Sequence, residues 1–505
     1  MSQRMTRREM LQAAGGVTFL GLVPVGVGYA VNKASGNDPS RPLLYTAAPY
    51  LQPGPASKLV ENADTMAVCW QTEDRPATFV VEFGENGSYQ QKAAVTRSKP
   101  YRTANERDAT LNYAAVLTGL KLGTKYAYRV TQDATLVAEG YFTTRKPRGA
   151  ATKFVAFGDN SFGEPGQRAV AFHAYKQLPD FVMNTGDNVY EGGRNNEYVR
   201  YFFPVYNADV AAATVGAPLL RSVPFYTVIA NHDVEDKGPD GRPLCDFDKN
   251  PDSFGFFTAM HLPANGPAPP QAAPMIGKKK TLDAFTADAP RYPRQAVYSF
   301  DAGDCHFLCL DSNIYVDPTD RRWQDFIAAD LSGTDAKWKF VVYHHPAFNV
   351  GDHHYKEQHM RLFSPLFDAH GVDFVLSGHE HNYQRTKPLR FKPNGVGQGT
   401  KLNSKNRLVP GTFSVDGAFD GKSNTKPNGV IYVTTGAGGK HLYDEDFHGN
   451  PQRWTRPDDN HVAYVERLVA DRHSFTTFDV SSDALVMKQI DQWGQELDAI
   501  RVTKG

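Results

Sequence analysis

The chain is predicted to fold as two domains, an all-β sandwich followed by an α/β domain. Three observations carry this reading. At 505 residues the chain is too long for one ordinary core. Its first third, after a leader, reads as short strands separated by regular turn signals. From Lys153 onward, apolar runs alternate with helical segments, the rhythm of strand–helix–strand units.

Residues 1–34 read as a targeting segment and not as structure. Thr6-Arg7-Arg8-Glu9-Met10-Leu11 resembles a twin-arginine signal, and the apolar stretch behind it is Gly-rich and interrupted by Pro24. Its low hydrophobicity fits that export route better than a membrane anchor. Cleavage near Ala30 or Ala34 would leave a mildly acidic mature chain in the periplasm or medium. Export by this route implies folding in the cytoplasm, in keeping with a metal loaded before export. No other stretch is long and apolar enough to span a bilayer.

Residues 41–147 form the predicted β domain. Its strand-like runs are Met66 to Thr72, Thr78 to Phe83, Asn112 to Leu117 and Lys125 to Val130. The Trp70 strand, the Leu117-Thr118-Gly119-Leu120 turn and the Tyr126-Ala127-Tyr128-Arg129-Val130 strand resemble a fibronectin type III-like domain. Thr143 to Arg148 reads as the linker that ends it. The second domain, 151–505, has crossover helices predicted at Gln167 to Leu178, Arg322 to Leu331 and His359 to His370. Residues 238–296, with their Lys278-Lys279-Lys280 cluster, and 391–429 read as long surface loops. Ile431 to Thr435 is a strand ending in the Gly436-Ala437-Gly438-Gly439 turn, and Ser474 to Val480 with Ala484 to Ile490 reads as a closing hairpin.

Composition narrows the function. The chain is 41% hydrophobic and 22% charged, with zero formal net charge. Without a basic block to neutralise phosphates in series, a stable nucleic-acid partner is not expected. A small phosphate ester remains open, because a metal site supplies its own positive charge. Cys69, Cys245, Cys305 and Cys309 show no metal-knuckle spacing. Cys305 and Cys309 lie too far apart along one strand to bridge each other and read as core thiols. Oligomeric state is not legible.

Five apolar runs each stop at residues suited to holding a metal. FVAF ends at Gly158-Asp159, FVMNT at Gly186-Asp187, FYTVIA at Asn231-His232-Asp233, FVVY at His344-His345, and FVLS at Gly378-His379-Glu380-His381. Runs of this kind read as buried strands, and α/β folds place their chemistry beyond the carboxyl ends of such strands. The ligands are therefore expected at one edge of one sheet. Asp159 and Asp187 are separated by one strand–helix–strand length, and the Gly before each lets the chain turn so that the carboxylate projects. Asn231 adds an amide oxygen, while His344, His379 and His381 add imidazoles suited to iron, zinc or manganese. If the chain is extended at His379-Glu380-His381, both imidazoles point the same way and reach neighbouring metals.

The series GD, GDNVY, NHD, HHP and GHEHNYQR resembles the metallophosphoesterase superfamily. Tyr190, three residues after Asp187, narrows the resemblance to the purple acid phosphatases. The resemblance implies a second domain built as a four-layer β-sandwich flanked by helices. It implies that Asp159, Tyr190 and His381 hold a ferric ion, that Asp187 bridges, and that Asn231, His344 and His379 hold a divalent iron, zinc or manganese. It further implies that His232, His353 and His354 grip the phosphoryl oxygens and protonate the leaving group, with His353 as the donor and Glu357 a weaker candidate. One departure is Ala230, where the family usually has Gly; at positive φ it would strain the loop.

The activity implied is acid phosphatase: hydrolysis of a small phosphate monoester by attack of a metal-held hydroxide on phosphorus, with an acidic optimum. Two alternatives stay open, a phosphodiesterase or nucleotide pyrophosphatase with the same chemistry, and a secreted binding protein with a vestigial metal site.

Overall fold

Trp70 is fully buried, stacked on Tyr113 at 5.3 Å and met edge-on by Phe79 at 5.0 Å. These rings are the centre of a sandwich of two four-stranded antiparallel sheets in the computed structural model. One sheet holds Tyr45–Gln52, Asp64–Glu73, Thr110–Leu120 and Val95–Arg97; the other holds Gln91–Ala93, Phe79–Glu85, Lys125–Gln132 and Thr135–Thr143. The structure describes residues 42–98, 110–234, 243–267, 272–394 and 407–504. The twin-arginine segment and its cleavage site lie outside the described residues, as do 238–242, 268–271 and 395–406 of the two long connections.

The linker from Thr143 to Arg148 is anchored at its middle. Arg145 is buried, pairs with Asp64 at 2.8 Å and donates to the carbonyls of Ser57 at 2.6 Å and Asp301 at 3.0 Å. A guanidinium satisfied from both domains makes this connection a packed interface, because leaving either charge buried and alone is costly. Tyr50 adds to it by donating to the Ala259 carbonyl at 2.7 Å and packing on Phe203 at 4.7 Å.

The five apolar runs divide between two sheets, which corrects the expectation of one. A six-stranded sheet has the order Phe225–Thr227, Phe181–Asn184, Thr152–Phe157, Ser474–Val480, Ala484–Asp491, Glu496–Thr503. A seven-stranded sheet has the order Tyr298–Ala302, Cys305–Cys309, Trp338–Val342, Phe374–Ser377, Ile431–Thr435, Tyr383–Thr386, Val465–Val469. The first three strands of the former and the second to fifth of the latter run parallel. An apolar run announces a strand buried on both faces, but not which strand it pairs with.

Phenylalanines join the sheets. Phe154 stacks on Phe181 and Phe478 within its own sheet, at 5.1 and 4.6 Å. It meets Phe307 and Phe340 of the facing sheet edge-on at 5.1 and 5.3 Å. On the outer face of the second sheet, Leu308, Val341 and Val375 pack against Trp323, Ile327 and Leu331 of the helix Arg321–Ser332. The helix Pro165–Lys176 covers the first sheet with Val170, Ala171 and Ala174. Helix, sheet, sheet and helix make the four layers.

Other expectations change in detail. The predicted helix His359 to His370 is a 3-10 turn, His359–Phe363, followed by a short α-helix, Ser364–Ala369, with Pro365 in its first turn, where a missing N–H costs least. Within 238–296, Phe247, Phe254, Phe257, Phe285 and Tyr292 form an aromatic cluster around the helix Lys279–Asp288, and this cluster is continuous with the main core. Its aromatic spacing follows no regular period, which hides it from pattern reading. Lys278, Lys279 and Lys280 are exposed at the start of that helix. Within 391–429 a hairpin pairs Leu389–Pro393 with Gly411–Val415. The closing hairpin gains a third strand, Glu496–Thr503. All four cysteines are free and buried, and burial pushes the Cys69 thiol up to about 12. Among the described residues, no helix is long and apolar enough to cross a membrane.

Candidate metal centre

The two facing sheets direct their parallel strands to a common end, and the five polar stations meet there. Asp159, Asp187 and His379 all have left-handed backbone, with φ of 57, 50 and 67°. Asp and His tolerate this conformation better than most residues, and it turns each side chain off its strand axis. Gly186 does provide the freedom expected of it, at φ 100°, and a Cβ there would meet His344 Nδ1 at 2.9 Å. Gly158 serves differently: its φ is not positive, and its role is close approach to the Thr185 segment. Ala230 is extended at φ −127°, so the departure from Gly carries no strain.

Two donor groups share one carboxylate. Donor atoms of Asp187, His344 and His379 lie within 4.8 Å of one another, as do those of Asp159, Asp187 and His381. His344 Nε2 is 3.4 Å from Asp187 Oδ2 and 3.2 Å from His379 Nδ1. Tyr190 Oη lies 3.5 Å from Asp159 Oδ1 and 3.3 Å from His381 Nε2. His379 is not extended, so the two imidazoles of His379-Glu380-His381 reach different groups through a left-handed kink, and not through the strand alternation expected.

The far side of each imidazole is tied down. His344 Nδ1 donates to the Thr185 carbonyl at 2.9 Å, and His381 Nδ1 to the His441 carbonyl at 2.8 Å. Each bond fixes the tautomer and leaves an Nε2 lone pair facing the centre. Asp187 Oδ1 accepts from the His232 backbone N–H at 2.9 Å, but Asp187 Oδ2 and Asn231 Oδ1 are buried without a hydrogen-bond partner among the described residues. Buried oxygens are rarely left so, and a cation satisfies both. The residues present therefore fit a two-metal centre.

Electrostatics agree. Burial alone would raise the Asp187 carboxyl, and the imidazoles of His344, His232 and His379 overcome it and hold it below the usual range. Burial opposes a charge on His344, yet Asp187 and Asp159 push its pKa up to about 9. That proton stands where a metal's charge would stand. Burial, then Asp187 and Asp159, hold the Tyr190 phenol well above its usual value, so ionising it takes a strong cation beside it.

The three candidate histidines sit at the rim. His232 packs on Tyr190 at 4.5 Å, with Nδ1 bonded to the Glu191 carbonyl at 2.9 Å. His354 lies over His379 at 3.8 Å. His353 is half exposed, with Nδ1 3.4 Å from Asp444 Oδ1. It stacks on Tyr443 at 4.1 Å, and the same ring stacks on His381 at 4.0 Å.

Sequence reasoning missed several supports. Glu357 does not face outward to substrate alone: it contacts His379 Nε2 at 3.2 Å and pairs with Arg407. Lys440 Nζ lies 4.1 Å over the Tyr190 ring and 2.9 Å from Glu191. The Gly436–Gly439 turn carries Lys440 in by packing on the Asp159 corner, where the Gly438 N–H donates to Gly158 and the Lys440 N–H to Asp159. Buried Asp233 accepts from Asn188, Tyr198 and Ala230 and so holds three segments of the site together. The sequence marks Glu357, Asp233 and the Gly-rich turn, though not in these roles, and gives no sign of Lys440.

Comparison with known proteins follows the same lines. Residues 152–383 match the model of the calcineurin-like phosphoesterases, and residues 56–144 match that of the purple acid phosphatase N-terminal domain. The chain belongs to the purple acid phosphatase family. Individual purple acid phosphatases are distant: one from Glycine max is 23% identical over 70% of each chain. An uncharacterized protein of Mycobacterium tuberculosis is 24% identical, covering 83% of this chain and 79% of its own. The structure of a purple acid phosphatase from yellow lupin seeds superposes with a TM-score of 0.63 at 17% identity, over 90% of this chain and 74% of that one, which shows the shared fold. A purple acid phosphatase assignment implies a binuclear metal centre, and the clusters around Asp187 are where this chain has candidate ligands.

Proposed function

We propose that the protein is an exported acid phosphatase that hydrolyses phosphate monoesters. The observation that carries the reading is the pair of donor groups sharing Asp187, together with the buried oxygens of Asp187 and Asn231 that have no hydrogen-bond partner among the described residues. Asp159, Tyr190 and His381 would hold one ion, ferric iron, and Asn231, His344 and His379 the other, a divalent iron, zinc or manganese, with Asp187 common to both. Two such ions supply Lewis-acid charge to the phosphate and acidify a water molecule. His232, packed on Tyr190, and His354, over His379, are suited to donate hydrogen bonds to phosphoryl oxygens. His353, backed by Asp444 and open to solvent, is suited to protonate the departing alkoxide. The Arg7-Arg8 pair near the start of the chain supports export by the twin-arginine route.

The test is metal content, colour and substrate preference of the purified protein. Two ions per chain including iron, a visible absorption band, and faster hydrolysis of p-nitrophenyl phosphate than of its bis ester are expected. Near-normal phosphatase activity in Asp187→Ala would refute the scheme, and preference for the bis ester would move the reading to a diesterase. Export in an Arg7→Lys/Arg8→Lys variant at the normal level would refute the twin-arginine assignment.

A further inference from the structure

Beside the two-metal centre lies a set of donors that this reaction leaves unused. Glu380, between His379 and His381 in the chain, is fully buried. Among the described residues neither of its carboxylate oxygens has a hydrogen-bond partner, nor does Asp444 Oδ2. Oxygens of Glu380 and Asp444 and a ring nitrogen of His353 lie within 4.8 Å of one another. Asp444 is oriented by the Asp352 N–H, which donates to Oδ1 at 3.1 Å, so Oδ2 is the oxygen left over.

Two carboxyl groups facing each other away from water need a positive charge between them, either a shared proton or a cation. Among the described residues neither forms an ion pair with a lysine or arginine, and Asp444 pairs with His353. Two carboxylates and one imidazole are the donor mix of zinc and manganese sites, and three protein ligands leave a position open for water. His353, whose side chain is 51% exposed, provides the way in.

We propose that Glu380, Asp444 and His353 Nδ1 form a third cation site for a divalent ion of the zinc or manganese type. Occupancy has a consequence that rests on the role proposed for His353. An imidazole whose Nδ1 lone pair is held by a cation cannot return to the imidazolium form, so a third ion stops His353 from protonating the leaving group. The site is then inhibitory.

The test is a zinc titration of the full chain already loaded with its two metals, followed by calorimetry and metal analysis. Wild type is expected to take one equivalent more than Asp444→Asn, and Glu380→Gln serves as a second variant should the first not fold. Equal stoichiometry in wild type and variant overturns the site and leaves the carboxyls sharing a proton. Zinc is also expected to depress hydrolysis of alkyl phosphates, which need a proton donor, more than that of p-nitrophenyl phosphate. A third equivalent bound with no such loss overturns the inhibitory role. A chain that binds the extra zinc but hydrolyses no phosphate ester refutes the proposed function while supporting the site.

Discussion

His379 Nε2 lies 3.2 Å from Glu357 Oε2, while His379 Nδ1 faces His344 Nε2 at the same distance. Glu357 accepts the ring N–H on the far side and leaves the Nδ1 lone pair for a cation. In the proposed centre this would make a carboxylate–histidine–metal relay, with Arg407 holding the carboxylate in turn. Replacing Glu357 by Gln should lower affinity for the proposed divalent ion by roughly 10–100-fold, with most activity restored at saturating metal. Dialysis against graded chelator reads the affinity directly. Retention within twofold of wild type would remove Glu357 from this role.

Tyr190 is a cleaner probe of the other ion. Its hydroxyl lies 3.5 and 3.3 Å from Asp159 and His381, while its ring packs on Phe162 and His232. Tyr190→Phe keeps the packing and removes the phenolate. The variant should fold normally and lose the visible band of the iron-loaded protein. A variant that keeps its colour would exclude Tyr190 from the ligand set.

His306 predicts how stability depends on pH. Its two ring nitrogens each lie 2.8 Å from a carboxylate, of Asp301 and of Asp330. Burial opposes the charge, but these two bonds win and push the pKa from 6.5 up to about 9. A raised folded pKa means the stabilisation is complete below about pH 6.5 and is lost as pH rises through about 9. The loss should be about 3 kcal/mol. Thermal unfolding of wild type and His306→Gln across this window measures it. Parallel curves for the two proteins would count against the assignment.

Phe154 tests the inter-sheet core. It touches Phe181, Phe478, Phe307 and Phe340, and so belongs to the contact that brings both ligand-bearing sheets together. Phe154→Ala should cost about 3–5 kcal/mol in urea unfolding. A cost under about 1 kcal/mol would mean that the site is held by its loops and not by this layer.

Much of the centre is legible in the order of residues because its candidate ligands follow a local rule. Asp159, Asp187, Asn231, His344 and His379 each stand at or just beyond a buried apolar run, and strand ends are where such folds open to solvent. The supports are not legible in the same way. Tyr443 and Asp444 reach His353 across about ninety residues, and Glu357 reaches His379 from a loop with no period of its own.

Neighbouring residues are enough to set most of the strands, the donor types and their order along the chain, since apolar runs and polar stops are local properties. Strand pairing and sheet packing set the rest. They make two sheets, not one, supply the candidate ligands, and they make Asp187 the carboxylate common to both donor groups. They also leave Glu380 facing Asp444 with no hydrogen-bond partner for either of its oxygens among the described residues. Such outcomes depend on which strands pair and on how closely two sheets approach, contacts whose energy is spread over residues far apart in the chain.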